Sequence, residues 1–200
     1  EKAGFEHFMM KEIHEQPRAV KDTLNSVLKD GKFDLTDIGL AEEDIRRTSQ
    51  IYIVACGSAY HVGMVAQYVI EDLVKIPVRV ELASEFRYRK PILDPNGLVI
   101  IISQSGETAD SLAALRETKA QGIRTLGIVN VVGSSIAREA DKVFYTLAGP
   151  EISVATTKAY STQLMASYIL AIQFAKVKNT ITEEQYENYI AELQAIPEKI

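Results

Sequence analysis

A cluster of small uncharged polar residues follows directly after an apolar run in the segment LVIIISQSGETADSLAAL. Ser103, Gln104 and Ser105 offer two hydroxyl groups and an amide, and Thr108 adds a hydroxyl where a helix is predicted to start. A helix N-terminus presents unpaired N–H groups and a partial positive charge, which favour an anion. Gly106 permits the tight turn that such a site needs. Because each hydrogen bond to a charged group contributes about 1.5–3 kcal/mol, the cluster is predicted to bind one phosphate group without a basic side chain.

The alternative interpretation of these hydroxyl groups is helix capping, since Ser and Thr favour helix N-termini in most proteins. Two further polar junctions favour a binding site. Gly57 and Ser58 follow the predicted first strand, and the segment EISVAT, residues 151–156, follows the predicted fifth strand. Polar residues at so many strand ends are more than capping requires, but residue types alone leave both interpretations open.

Short apolar runs alternate with helix-length segments through the middle of the chain. Runs of residues predicted as strands are Ile51–Ala55, Val78–Leu82, Leu98–Ile102, Thr125–Val129 and Val143–Thr146. The segments between them, predicted as helices or a short turn, are Tyr60–Val74, Glu85–Arg89, Thr108–Gln121 and Ser134–Glu139. Strands that are apolar on both faces and separated by helices indicate a parallel sheet covered on both sides. Ligands bind beyond the carboxyl ends of such strands, so the polar junctions are expected at one edge.

Helical segments flank this central region. Apolar spacing over residues 5–13 and again over 20–28 predicts two N-terminal helices, followed by a loop with a short polar helix. The mostly apolar segment Thr156–Lys176 predicts a buried helix, and a capping box of Thr182 and Gln185 predicts the start of a final helix. The predicted organisation is residues 1–46 as N-terminal helices with a connecting loop, 47–180 as the central domain and 181–200 as a C-terminal helix.

Composition narrows the class of protein. The formal net charge of −5 argues against nucleic-acid binding, which depends on basic surfaces. No apolar run reaches the roughly 18 residues that cross a bilayer, so no membrane partner is expected. Cys56 is the only cysteine, which excludes an internal disulfide and is typical of a reducing compartment, so a cytoplasmic location is expected. The first residue is Glu1 and not Met, and we expect the chain to be part of a longer polypeptide.

Other ligand-binding and catalytic motifs are incomplete. The segment CGSAYHVG supplies Gly57 and Gly63 but no GxGxxG dinucleotide fingerprint, and SQSGE lacks the first glycine of a hydrolase GxSxG motif. His7 and His14 lie about two helical turns apart, so no metal site is expected. Cys56 has no neighbouring base and is interpreted as a small buried thiol. The charged segment FRYRK is predicted as a solvated turn, with phosphate binding by its arginines as the alternative.

Several segments resemble one known family: ACGSAYHVG, ELASEFRYRKP, SQSGETADSLAAL and SVATTKAYSTQL, with KEIHEQP near the N-terminus. They are similar to the isomerase portion of the glutamine–fructose-6-phosphate transaminase (isomerising) family, the glucosamine-6-phosphate synthases, over nearly the whole chain. The resemblance implies an α/β fold of the sugar isomerase (SIS) type, a flavodoxin-like three-layer α/β/α sandwich around a five-stranded parallel sheet. It also implies conversion of fructose 6-phosphate and glutamine into glucosamine 6-phosphate and glutamate, without a metal or redox cofactor.

The resemblance also implies which residues contact the substrate. The matching positions are Ser103, Gln104, Ser105 and Thr108 after the third strand, Gly57, Ser58 and Ala59 after the first, and Val154 and Ala155 before the long apolar helix. Ala59 replaces the serine usual in the family and can offer only its backbone N–H. The implied ligand is a sugar phosphate, namely fructose 6-phosphate, glucose 6-phosphate or glucosamine 6-phosphate.

The catalytic residues of that family have no match in this chain. The lysine that forms an imine, and the glutamate and histidine that move protons, belong to a second SIS domain, and the glutaminase cysteine belongs to a preceding domain. The resemblance assigns no catalytic role to Lys158 or Glu107, and Lys158 is interpreted as structural. The chain is therefore expected to bind sugar phosphate without turnover, as part of a homodimeric enzyme. The alternative hypothesis is a stand-alone SIS-type sensor that binds a phosphosugar and regulates a partner protein.

Overall fold

The computed structural model describes all 200 residues, and its helices and strands fall into three consecutive parts of the chain. The N-terminal part contains α1 (Phe8–His14), α2 (Gln16–Asn25), β1 (Leu28–Lys29), β2 (Lys32–Phe33), a 3-10 helix (Thr36–Ile38) and α3 (Glu42–Arg47). The central part contains β3 (Gln50–Ala55), α4 (Ser58–Val74), β4 (Val78–Leu82), α5 (Ala83–Arg89), β5 (Gly97–Ser103), α6 (Ala109–Ala120), β6 (Arg124–Val129), α7 (Ser135–Glu139) and β7 (Lys142–Tyr145). The C-terminal part contains α8 (Lys158–Val177) and α9 (Glu183–Lys199).

The central strands form one five-stranded sheet in the order β4-β3-β5-β6-β7, and every neighbouring pair is parallel. Counted along the chain within this sheet, the order is 2-1-3-4-5, the flavodoxin-like arrangement. The predicted parallel α/β sheet is therefore confirmed. The winding direction reverses between β3 and β5, and doubly wound proteins bind ligands beyond the carboxyl ends of the strands at this position.

The sheet has a hydrophobic core on each face because successive strand residues point in opposite directions. In β3, Ile51 and Ile53 belong to the larger cluster of 35 buried residues, which also includes side chains of α4, α8 and the N-terminal helices. Tyr52 and Val54 belong to a smaller cluster of 12 buried residues on the side of α5, α6 and α7. This alternation explains why the strands read as continuous apolar runs, and it confirms the three-layer sandwich.

The long apolar helix α8 is buried inside the chain, where it packs against α2, α4 and α9. The predicted capping box at the start of α9 is confirmed, because the Gln185 N–H donates to the Thr182 hydroxyl at 3.1 Å and the Thr182 N–H donates to the Gln185 side chain at 2.9 Å. The buried Tyr186 hydroxyl accepts from the Phe33 N–H at 2.9 Å and donates to Gln173 Oε1 at 2.7 Å. This contact joins the N-terminal part to α9. None of the helices is long and apolar enough to cross a membrane.

Three local features differ from the sequence-based expectations. Asp30 and Gly31, in the segment expected as a loop after the second helix, form the turn of a two-stranded antiparallel hairpin, with φ of +52° and +74°. The segment FRYRK, expected as a solvated turn, lies mostly within α5 because Phe86 is fully buried against the sheet. In α1 the buried residue is Glu12, whereas the apolar Met9 and Ile13 are exposed.

Candidate functional site

A cavity of about 330 Å³ lies beyond the carboxyl ends of β3 and β5, where the winding of the sheet reverses. No lining side chain carries a charge. The lining residues are Cys56, Gly57, Ser58, Ala59, Ile102, Ser103, Gln104, Ser105, Thr108, Thr156 and Gln163. The fold therefore brings together seven of the predicted binding residues, from two segments that are more than 40 positions apart in the chain.

The hydroxyl groups after β5 form hydrogen bonds within their own loop. Ser103 is the buried last residue of β5, and its hydroxyl shares a hydrogen bond of 2.9 Å with the hydroxyl of Thr108. The Gly106 N–H donates to Ser103 Oγ at 3.1 Å, and the Glu107 N–H donates to Ser105 Oγ at 3.2 Å. Thr108 occupies the N-cap position of α6, but its side chain makes no capping hydrogen bond. The capping interpretation is therefore wrong for Thr108, and the first N–H groups of α6 receive no hydrogen-bond acceptor from it.

Gly106 is required by the shape of this loop. Its φ is +67°, in the left-handed region that favours glycine, and a Cβ at this position would lie 2.0 Å from Ser134 Oγ. The next residue, Glu107, does not line the cavity; its carboxylate accepts hydrogen bonds from the Ser135 hydroxyl at 2.6 Å and the Ser135 N–H at 2.8 Å. These bonds hold the pKa of Glu107 below its ordinary value. The loop thus keeps its one charged side chain at the start of α7 and out of the cavity.

The second wall of the cavity is the start of α4. Gly57 occupies the N-cap position with φ of +59° and has no side chain with which to cap the helix. Ser58 exposes its hydroxyl, which donates to Thr156 Oγ1 at 3.4 Å. Ala59 is buried and contributes no hydroxyl to this wall. The polar groups of this wall are therefore the Ser58 hydroxyl and the N–H groups at the start of α4.

The third wall comes from the region where α8 begins, and sequence reasoning missed its main residue. Gln163 is 2% exposed, and its Oε1 atom is buried without a hydrogen-bond partner. The available signal was a polar residue in a segment predicted to form a buried, mostly apolar helix. Thr156 also lines the cavity, whereas Val154 and Ala155 do not. Val154 is fully exposed on the loop that precedes α8, so its predicted contact with a ligand stays a prediction.

The basic side chains near this edge are paired with carboxylates. The buried Lys158 ammonium lies 2.6 Å from Glu15 Oε2, in agreement with the structural interpretation of this lysine. Within the segment FRYRK, Arg87 pairs with Asp110 at 2.8 Å and Arg89 pairs with Glu81, and neither arginine lines the cavity. The cavity is therefore neutral on every side.

Cys56 and the histidines complete the set of sequence candidates. Cys56 is half-buried and lines the cavity, with Sγ 3.8 Å from Ser111 Oγ, so the thiol expected to be buried is only partly buried. His7, His14 and His61 are exposed and do not line the cavity. No group of three or more His, Cys, Asp or Glu side chains is arranged to hold a metal ion.

The chemistry of the cavity follows from its donors. Residues at or next to the N-termini of α4, α6 and α8 line it, and none of these three helices has a side-chain cap. Unpaired N–H groups and partial positive charge at helix N-termini stabilise an anion. The hydroxyl and amide groups add donors without adding charge. Such an arrangement suits a single small anionic group.

Comparison with known proteins defines the family. Residues 44–173 match the family model of the SIS domain, and the chain belongs to this family. Over its whole length it is similar to glutamine–fructose-6-phosphate aminotransferase (isomerizing), with 56% identity to the protein of Clostridium tetani and 55% to that of Caldanaerobacter subterraneus subsp. tengcongensis. The chain spans about a third of the length of these relatives, 33% in each case. The family resemblance seen in the sequence is therefore confirmed.

A solved structure supports the same assignment. The C-terminal domain of glucosamine-fructose-6-phosphate aminotransferase from Francisella tularensis is similar to this chain with a TM-score of 0.95 and 47% identity. The similarity covers 99% of this chain and 56% of that one. This chain thus corresponds to one part of a larger domain in the Francisella protein.

Proposed function

We propose that this chain is the sugar-phosphate-binding first half of the isomerase domain of an enzyme that forms glucosamine 6-phosphate from fructose 6-phosphate and glutamine. The observation that carries the proposal is the neutral cavity at the reversal of the sheet, where uncapped helix N-termini and clustered hydroxyl groups meet. Identity of 56% over the whole chain to an aminotransferase that acts on fructose 6-phosphate supports this choice of ligand.

Each wall of the cavity has a proposed role in binding. Ser103, Gln104, Ser105 and Thr108 donate hydrogen bonds to the phosphate group, together with the first N–H groups of α6. Gly57, Ser58 and Ala59 contribute backbone N–H groups and one hydroxyl from the start of α4. Val154 and Ala155 contact the sugar from the loop that reaches the cavity through Thr156. Hydrogen bonds to a charged group contribute about 1.5–3 kcal/mol each, so three or four of them offset the loss of phosphate hydration without an arginine.

The chain alone is proposed to bind its ligand without turning it over. The ammonium group of Lys158 is held by Glu15 and does not line the cavity. Catalytic groups for the isomerisation, and ammonia from glutamine, are proposed to come from a second SIS domain and a glutaminase domain of a longer cytoplasmic, homodimeric enzyme. High identity to aminotransferases over the whole chain favours this enzyme part over a stand-alone phosphosugar sensor.

The proposal is tested by measuring the melting temperature of the 200-residue chain with increasing fructose 6-phosphate. A ligand that binds only the native state at about 100 times its Kd adds about 2.7 kcal/mol, which corresponds to about 5–10 °C for a domain of this size. Unphosphorylated fructose at the same concentrations serves as the control and is expected to give no shift. Equal shifts with fructose and with its phosphate would contradict the proposed phosphate site.

A double variant, Ser105→Ala with Thr108→Ala, locates the binding site. It removes two hydroxyl groups from the cavity and is expected to abolish most of the ligand-induced shift while leaving the fold intact. The matched control is Ser26→Ala with Thr36→Ala, which removes the hydroxyl groups of two exposed residues that do not line the cavity. A full ligand-induced shift in the Ser105/Thr108 variant would place the binding site elsewhere.

A further inference from the structure

The loop between β7 and α8 borders the cavity but has no backbone hydrogen bonds of its own. No backbone–backbone hydrogen bond involves residues 149–156, although this loop carries Thr156 into the wall of the cavity. Its conformation therefore depends on contacts made by side chains. Loops of this kind are poorly ordered unless other groups hold them in place.

The principal contact comes from the N-terminal helix α1. The carboxylate of Glu12 accepts the Ile152 N–H at 2.5 Å and the Ser153 N–H at 3.3 Å. Glu12 is 2% exposed, and burial by itself raises the pKa of a carboxyl group. The hydrogen bonds from the loop outweigh burial, so the pKa of Glu12 lies below its ordinary value and the group is a carboxylate at neutral pH.

Two further contacts fix the end of the same loop. The carboxylate of Glu151 accepts both the N–H of Thr157, at 2.8 Å, and its hydroxyl, at 2.9 Å. The following residue, Lys158, is tied to Glu15 of the loop between α1 and α2 at 2.6 Å. The loop is thus held at residues 152–153 and at 157–158, and Thr156 lies between these two positions.

The surroundings of Glu12 argue that it does more than stabilise the fold. Burying a carboxylate is costly, and helices normally bury apolar side chains instead. In α1 the reverse occurs, because Met9, Met10 and Ile13 are exposed while Glu12 is buried. The buried carboxylate stabilises one conformation of the loop that borders the cavity, because it accepts the N–H groups of Ile152 and Ser153.

We propose that Glu12 is a positioning residue for the sugar-phosphate site: it holds the loop of residues 151–157 so that Thr156 stays in the wall of the cavity. The inference rests on the proposed function, since it concerns the same site. Without Glu12 the loop samples other conformations, and the apparent affinity falls in proportion to the fraction of molecules that keep the binding conformation.

The test compares Glu12→Ala, Glu12→Gln and the control Glu6→Ala, which removes an exposed carboxylate from the same N-terminal segment. Two quantities are measured well below the melting temperature: the Kd for fructose 6-phosphate by calorimetry, and hydrogen exchange at the amides of Ile152 and Ser153 without ligand. For Glu12→Ala we expect faster exchange at these two amides and a Kd raised about tenfold. Glu12→Gln keeps an acceptor oxygen and is expected to restore part of both losses, and Glu6→Ala is expected to change neither.

Particular results overturn the inference. If Glu12→Ala folds and is less stable but binds fructose 6-phosphate with an unchanged Kd, the role of Glu12 is purely structural. If hydrogen exchange at Ile152 and Ser153 is unchanged in this variant, the carboxylate does not hold the loop. A wild-type chain that does not bind fructose 6-phosphate refutes the proposed function instead. In that case the exchange rates alone decide whether Glu12 positions the loop.

Discussion

Replacing Gly106 by alanine tests whether the loop after β5 has the tight geometry on which the cavity depends. Alanine at φ of +67° costs about 1–2 kcal/mol, because its Cβ approaches the neighbouring carbonyl oxygen. The new Cβ would also lie 2.0 Å from Ser134 Oγ and 2.6 Å from Ser134 Cβ, so the two loops must separate. Such overpacking costs about 1–3 kcal/mol. The expected loss in the free energy of unfolding is therefore about 2–5 kcal/mol.

The two contributions are separated by a control at Gly122. This glycine has a similar φ of +71°, but a Cβ there would have no neighbour within 4 Å. Gly122→Ala is expected to cost only the conformational part, about 1–2 kcal/mol. Adding Ser134→Gly to Gly106→Ala removes the atoms that clash and should recover part of the difference.

Urea denaturation, followed by circular dichroism, measures these free energies. Equal losses in Gly106→Ala and Gly122→Ala would refute the reasoning, because they would show that Ser134 does not approach Gly106 closely. A double variant no more stable than Gly106→Ala alone would lead to the same conclusion. Because Gly106 lies between Ser105 and Thr108, a displaced loop is also expected to weaken the binding of fructose 6-phosphate.

Two further predictions concern stability away from the cavity. Tyr186→Phe leaves the buried N–H of Phe33 without its acceptor, so we expect the free energy of unfolding, measured by urea denaturation, to fall by about 1–3 kcal/mol. The control is Tyr189→Phe, at a partly exposed tyrosine of the same helix. Equal losses in the two variants would contradict the assigned hydrogen bond. Burial raises the pKa of Asp141, but hydrogen bonds from the Thr125 N–H and hydroxyl at 2.9 Å outweigh it, so the folded-state pKa lies below that of the unfolded chain. This carboxylate therefore contributes to stability at neutral pH, and the contribution is lost as the pH falls below about 4, the ordinary pKa of aspartate, and through the lower folded-state pKa. Asp141→Asn should reduce the acid dependence of stability, and an unchanged dependence would exclude this carboxylate as a cause.

The central sheet was predictable because its signals are local. Runs such as Leu98–Ile102 are apolar on both faces, a pattern typical of a buried strand between two helical layers. The Thr182–Gln185 capping box likewise depends on residues three positions apart. By contrast, the segment FRYRK is helical because Phe86 finds a buried place against the sheet, and its charged neighbours obscure this in the sequence.

Part of the candidate site was predictable for the same reason. Ser103, Gln104, Ser105 and Thr108 lie within six consecutive positions, and placing them at the end of a parallel strand puts them at the edge where ligands bind. Gln163 gave only the weak signal of a polar residue in an apolar helix. Its place in the cavity depends on how α8 packs against α4.

The sequence by itself determined the order of strands and helices, the edge at which the polar residues collect and the family to which the chain belongs, because each depends on residues close together in the chain. Only the tertiary structure decided which distant residues complete the cavity and what holds its loop. Apolar spacing over residues 5–13 predicted a helix there, but the residue that α1 buries is Glu12, whose carboxylate accepts the N–H of Ile152, 140 residues away. Such pairing depends on long-range packing, in which an otherwise costly buried charge is stabilised by two backbone donors that have no other partner.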